Sequence, residues 1–173
     1  MWNKLNWFVW LLTVVLATVQ LSWWYPQLPE VVPSHFNAAG QVDGEMAKPA
    51  FCLLFGGLQA LMLLGMPLLG CLLRRMPDSL INMPNKEYWL APERRDASLA
   101  VSFYMLLAIS SLTGLLFLVV FQLSTQVAMK QRVGINPEMW MATVAYLVVV
   151  FGICGWSCCR FRMPRAGERD SAL

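Results

Sequence analysis

The sequence predicts an all-α integral membrane protein: a bundle of four spanning helices, both termini cytoplasmic, with a Pro/Gly-rich outer loop between helices 1 and 2. Three observations carry that prediction. Hydrophobic residues are 58% of the 173 and charged residues only 13%, about half of the roughly one quarter that a water-facing surface carries. Charged side chains are absent from residues 5–29, 50–73, 97–129 and 139–159, and each stretch reaches the ~20 apolar residues needed to cross the hydrocarbon layer. The thirteen Lys and Arg are also shared unequally. Lys4, Arg74, Arg75, Lys86, Arg94, Arg95, Arg160, Arg162, Arg165 and Arg169 fall on one side of the spans, against Lys48, Lys130 and Arg132 on the other. Excess cationic residues stay cytoplasmic, so both termini face inward and the number of spans is even. A soluble monomer, a disordered chain and a coiled coil are excluded, and a net charge of +3 is too small to imply nucleic-acid binding.

The chain reads as one membrane domain, 1–173, with spans near 7–24, 51–73, 97–123 and 139–158. The first is too long for the apolar core of a signal peptide and ends in Trp23, Trp24 and Tyr25 rather than small residues. From Trp7 to Trp24, at ~1.5 Å per residue, a helix covers about 26 Å, which places an aromatic pair at each headgroup zone. An outer loop, 25–49, follows. Pro67 lies inside the second span and is expected to kink it. A cytoplasmic loop, 74–96, leads to the third span, with Asp96 as its expected N-cap. After a second outer loop, 124–138, Asn136-Pro137-Glu138 offers a capping Asn, a first-turn Pro and an acid. Residues 159–173 form a cytoplasmic tail. Gly56 with Ala60, Ser110 with Gly114, and Gly152 with Gly155 would let helix backbones approach. Ordinary bundle packing accounts for these pairs, with a homo-oligomer as the alternative.

No ionisable side chain lies within a span, which argues against active transport by a single copy. Catalysis is not expected. Ser34 and His35 are adjacent in an extended segment, so their side chains point to opposite sides, and no Walker loop or metal-ligand cluster is present. Cys52, Cys71, Cys154, Cys158 and Cys159 contain no paired thiols for an oxidising face, nor zinc-site spacing with a nearby His. No cofactor or metal is implied.

The informative residues lie in the polar loops. Pro26, Pro29 and Pro33 hold the first part of 25–49 extended, and Asn37-Ala38-Ala39-Gly40 and Asp43-Gly44 read as two successive turns. In the cytoplasmic loop, Asn82, Pro84, Tyr88, Trp89, Arg94 and Arg95 suggest an interfacial segment, with the aromatics at headgroup level and the arginines near anionic lipid. Docking of a cytoplasmic partner is the other reading of that loop.

The stretch from Leu28-Pro29 through Pro33, His35-Phe36, Gly40 and Asp43-Gly44 to Lys48 resembles the bacterial domain of unknown function at the N-terminal part of SdpI-type immunity proteins. With its flanking spans the resemblance covers about the first seventy residues, and residues 81–95 are similar to a segment of short members of that group. The resemblance implies a protein of the bacterial cytoplasmic membrane that protects its producer from a membrane-active toxin. The further membrane-spanning half of the full-length immunity proteins is expected to be missing, which counts against signalling to a regulator. A toxin would meet the outer loop, at Pro33, His35, Phe36, Asn37, Gly40, Asp43, Gly44 and Lys48, or the helix faces within the bilayer. These residues also have a purely structural reading, in which Gly40 and Asp43-Gly44 make turns and His35 hydrogen-bonds to a carbonyl or to Asp43. The expected partners are the lipid bilayer, a protein toxin and, as the alternative above, a second copy. An accessory subunit of a larger membrane complex and a small oligomeric channel or carrier are the competing functions.

Overall fold

A computed structural model of the protein describes residues 2–164. The remainder of the expected tail, with Arg165 and Arg169, lies outside the described residues. Helix α1 runs Trp2–Trp24, strands β1 (Val31–Phe36) and β2 (Val42–Ala47) follow, and α2 is Lys48–Leu73. After a 3-10 turn at Asp78–Leu80 and the short α3 (Lys86–Trp89) come α4 (Arg95–Ala128) and α5 (Glu138–Arg160). The four long helices are each long and apolar enough to cross a membrane. The protein is therefore a multi-pass membrane protein. The helices run past the expected spans, most of all the third. At ~1.5 Å per residue α4 is about 51 Å long, against a hydrocarbon core of ~30 Å, so it projects from the apolar layer.

That length makes α4 the mast of the fold. It packs against α1, α2, α5 and β1 and supplies more buried positions than any other element, including Leu99, Leu107, Ser110, Gly114 and Phe121. The four long helices do not pack equally. α5 contributes no buried residue and leans on α4, to which Tyr146 is joined by a 3.0 Å hydrogen bond with Thr113. Gly152 and Gly155 have no neighbour within 4 Å of a would-be Cβ, so that pair makes no helix contact here. Gly114 does: a Cβ there would sit 2.8 Å from Leu63 Cδ2 and 2.8 Å from Thr13 Cγ2, at the crossing of α1, α2 and α4.

Polar groups fasten the crossing. Pro67 has no N–H, so the Leu63 carbonyl four residues earlier loses its helical donor. The Trp10 indole N–H of α1 takes that place at 2.8 Å, and Ser110 Oγ of α4 lies 3.4 Å from the same oxygen and 3.0 Å from the Met62 carbonyl. A proline inside a membrane helix is tolerated where neighbouring helices satisfy the freed group. Gln59 Nε2 donates to the Gly114 carbonyl at 3.1 Å. Gln122 Oε1 accepts from Gln20 at 3.1 Å and from the Trp24 indole at 3.0 Å. Each aromatic pair of α1 is thus divided, with Trp10 and Trp24 turned inward to bond and Trp7 and Trp23 left exposed.

Two expected caps are corrected. Helix α4 starts before Asp96, which falls in its first turn. Asn136 does not cap α5, which begins at Glu138 without a side-chain cap.

Candidate functional site

The loop between α1 and α2 is a β-hairpin rather than an arm with two turns. β1 and β2 pair antiparallel, Val31 opposite Ala47 and His35 opposite Gly44, with irregularities on both sides of His35. The first expected turn is real. Asn37 Oδ1 accepts from the N–H groups of Ala39 (2.9 Å) and Gln41 (3.1 Å), and Gly40 adopts φ +75°, which an L side chain resists. The second is not: Asp43 and Gly44 lie inside β2.

The hairpin is held at root and tip. At the root, Leu28, Val32, Phe51, Cys52 and Phe121 form one buried cluster over the helix ends. Lys48, half-buried, donates to the Leu28 carbonyl at 3.2 Å, pairs with Glu30 at 3.3 Å and lies 5.6 Å from the Tyr25 ring centroid. At the tip, the Ile135 N–H donates to the Gly40 carbonyl (3.2 Å) and Asn136 Nδ2 to the Ala38 carbonyl (3.3 Å). A Cβ on Gly40 would lie 2.6 Å from Asn136 Cγ. The segment that receives the tip is itself braced by Arg132, which bonds the Gly134 carbonyl and pairs with Glu138 at 2.6 Å.

The eight candidate residues therefore divide. Pro33 is buried and Phe36 half-buried; Asn37 and Gly40 make the turn; Gly44 admits the facing His35, whose Cβ would be 2.9 Å from a Cβ there; Lys48 pins the root. His35 and Asp43 remain, joined by a 2.5 Å Nδ1–Oδ1 contact on the open face, with side chains 73% and 41% exposed. They are the polar pair of this motif that the packing does not consume. Asn136, taken as a helix cap from the sequence, is the anchor that sequence reasoning missed, because nothing local marks a contact across 98 positions.

At the opposite end, the loop between α2 and α4 is a folded cap, in which Trp89 is enclosed by protein rather than turned outward. Ile81, Met83, Trp89, Leu90, Leu99 and Phe161 enclose one another. Trp89 is 7% exposed, and its indole N–H donates to the Phe161 carbonyl at 2.9 Å. Arg95 binds Asp78 and the Arg74 and Met76 carbonyls. Arg94 donates to the Tyr88 carbonyl and stacks on the Tyr88 ring, 4.1 Å from its centroid. Of the residues expected at the interface, Asn82 and Pro84 are exposed, while Tyr88, Arg94 and Arg95 are partly covered.

Within the membrane-crossing layer a cavity of about 290 Å³ opens between α1, α2 and α4, lined among others by Ala17, Gln20, Gly56, Gln59, Phe117 and Phe121. The Gln20 and Gln59 amides are committed to α4, so the walls offered to a guest are chiefly apolar.

Fold and site define a multi-pass membrane protein whose first two long helices carry a docked polar hairpin at one end of the bundle. Residues 8–60, which are most of α1, the hairpin and the first half of α2, match a family described as a domain of unknown function, DUF1648. No curated protein and no solved structure matches the chain.

Proposed function

We propose that this is a protein of the bacterial cytoplasmic membrane, with both termini inside and the hairpin outside, which protects its cell from a membrane-active toxin by binding it at the outer face or within the bilayer. The orientation is supported by the bias of Lys and Arg. Lys4, Arg74, Arg75, Lys86, Arg94, Arg95, Arg160 and Arg162 stand at the termini end, and Lys48, Lys130 and Arg132 at the hairpin end. The observation that carries the binding role is the exposed His35–Asp43 pair on a hairpin fixed at both root and tip. A rigid polar surface binds at less entropic cost than a mobile loop. Protection requires only that the toxin be held away from the helix faces it needs for assembly.

The test is a contact competition between parent cells and a deletion strain, with and without a restored copy. Death of the deletion strain only beside the parent, with rescue by the copy, is the expected result. Equal growth under conditions where the parent deploys its toxins would remove the reading. A second reading, an accessory subunit of a larger complex, is favoured by α5, none of whose residues is buried. A stoichiometric partner co-purified without toxin would support it.

A further inference from the structure

A two-stranded sheet has two outer edges, and in this hairpin they are not equivalent. On β1, Pro33 has no N–H to offer, the ladder is irregular around His35, and Val32 and Pro33 are buried toward the helix ends. Proline and bulges are devices that close an edge to further pairing. β2 has neither. Its outward groups follow from Lys48, whose N–H donates to the Glu30 carbonyl across the hairpin at 2.9 Å. Opposed residues of an antiparallel pair alternate between exchanging hydrogen bonds and not doing so. Val31–Ala47 and Pro33–Glu45 are therefore the non-bonded pairs, and the N–H and C=O of Ala47 and Glu45 point away from β1. Among the described residues no third strand meets them, and no β2 residue is buried.

We propose that this free edge of β2 is a docking site for an extended cationic peptide segment, which adds to the hairpin as a third strand. Side-chain charge selects the occupant. Asp43 and Glu45 stand two apart on the exposed face, while Val42 and Met46 alternate with them on the half-covered face. In strand addition main-chain bonds give affinity and alternate side chains give specificity. Opposite charges directly across from one another attract and like charges repel. The fitting segment thus carries Lys or Arg at alternate positions with apolar residues between. The same two carboxylates repel β2 of a second copy, so the edge is selective rather than a site of self-pairing. The inference rests on the protective reading only for the source of the segment.

The experiment uses the full chain in phosphatidylcholine nanodiscs and a labelled hexapeptide, Thr-Lys-Val-Lys-Val-Thr, with fluorescence anisotropy read against empty discs. Saturable binding is expected. N-methylation of two edge-facing amides removes two neutral hydrogen bonds, a loss of roughly 5- to 150-fold at ~0.5–1.5 kcal/mol each. Exchange of the peptide's Lys for Glu abolishes binding. Glu45→Lys weakens it about fivefold or more, while Glu93→Lys, at the other end of the molecule, leaves it unchanged. Equal binding of the N-methylated peptide, indifference to Glu45→Lys, or no saturable binding overturns the proposal. Peptide binding with no protection in the competition assay would refute the toxin reading alone; protection without peptide binding would refute the edge alone.

Discussion

Pro67, Leu63 and Trp10 make a bond whose worth can be isolated. In Trp10→Phe the Leu63 carbonyl keeps only Ser110 Oγ, at 3.4 Å, and that hydroxyl is closer to the Met62 carbonyl at 3.0 Å. Intramembrane side-chain bonds average ~0.6 kcal/mol and reach ~1.7, while a buried acceptor left without a donor costs ~1–3 kcal/mol. Trp10→Phe should therefore destabilise the protein by about 1–2 kcal/mol. In a Pro67→Ala background, residue 67 regains an N–H aimed at the Leu63 carbonyl, and the same Trp10→Phe change should cost no more than about 0.5 kcal/mol, a coupling of roughly 1 kcal/mol. The indole area lost is common to both backgrounds and cancels in the cycle. The assay is reversible unfolding in mixed micelles, followed by far-UV circular dichroism for the four proteins. Equal costs of Trp10→Phe in the two backgrounds would refute the claim that the proline is satisfied by α1.

Other substitutions test the remaining layers. Gly114→Val should disrupt the α1–α2–α4 crossing and cost about 2 kcal/mol or more through overpacking, whereas Gly155→Val, with open space around it, should unfold at the wild-type midpoint. Gly40→Val forces an L side chain to positive φ and against Asn136, costing about 1–2 kcal/mol for the backbone alone, and hydrogen exchange should show faster exchange at the hairpin tip with α2 unchanged. Arg95→Lys gives up the forked contact to Asp78 and two carbonyls, and should lower stability by about 1–3 kcal/mol; an unchanged midpoint would mean the terminal-side cap is not held this way. A cysteine at Ala38 should react with an impermeant maleimide on intact cells, and no labelling there would reverse the proposed orientation.

Much of this architecture can be read from the sequence because the bilayer imposes it. Charges cannot sit in the hydrocarbon layer, so four uncharged stretches are four spans, and the Asn37–Gly40 turn is local chemistry. Apart from the start of α4, which precedes the expected Asp96 cap, the errors are non-local. Asp43-Gly44 has turn composition, but the tip's attachment to Ile135 and Asn136 draws it into a strand. Trp89 looks interfacial until Leu99 and Phe161, distant in sequence, close a core around it. Trp7 and Trp10 are indistinguishable in sequence, and only the carbonyl freed by Pro67 decides which turns inward. Of the candidate site, the Asn37–Gly40 turn was legible as structure, whereas Lys48 was read as a binding residue and only the fold shows it pinning the root. That His35 and Asp43 alone remain unspent required the packing of all the others.

The central claim is that protection runs through the exposed face of the hairpin. The direct measurement is rescue of the deletion strain, in competition with the parent, by a copy carrying His35→Ala and Asp43→Ala, with membrane abundance matched to wild type. The account predicts that this copy fails to protect while an equally abundant Asn82→Ala copy, altered at the opposite end, protects fully. Full protection by the His35 and Asp43 variant would contradict it.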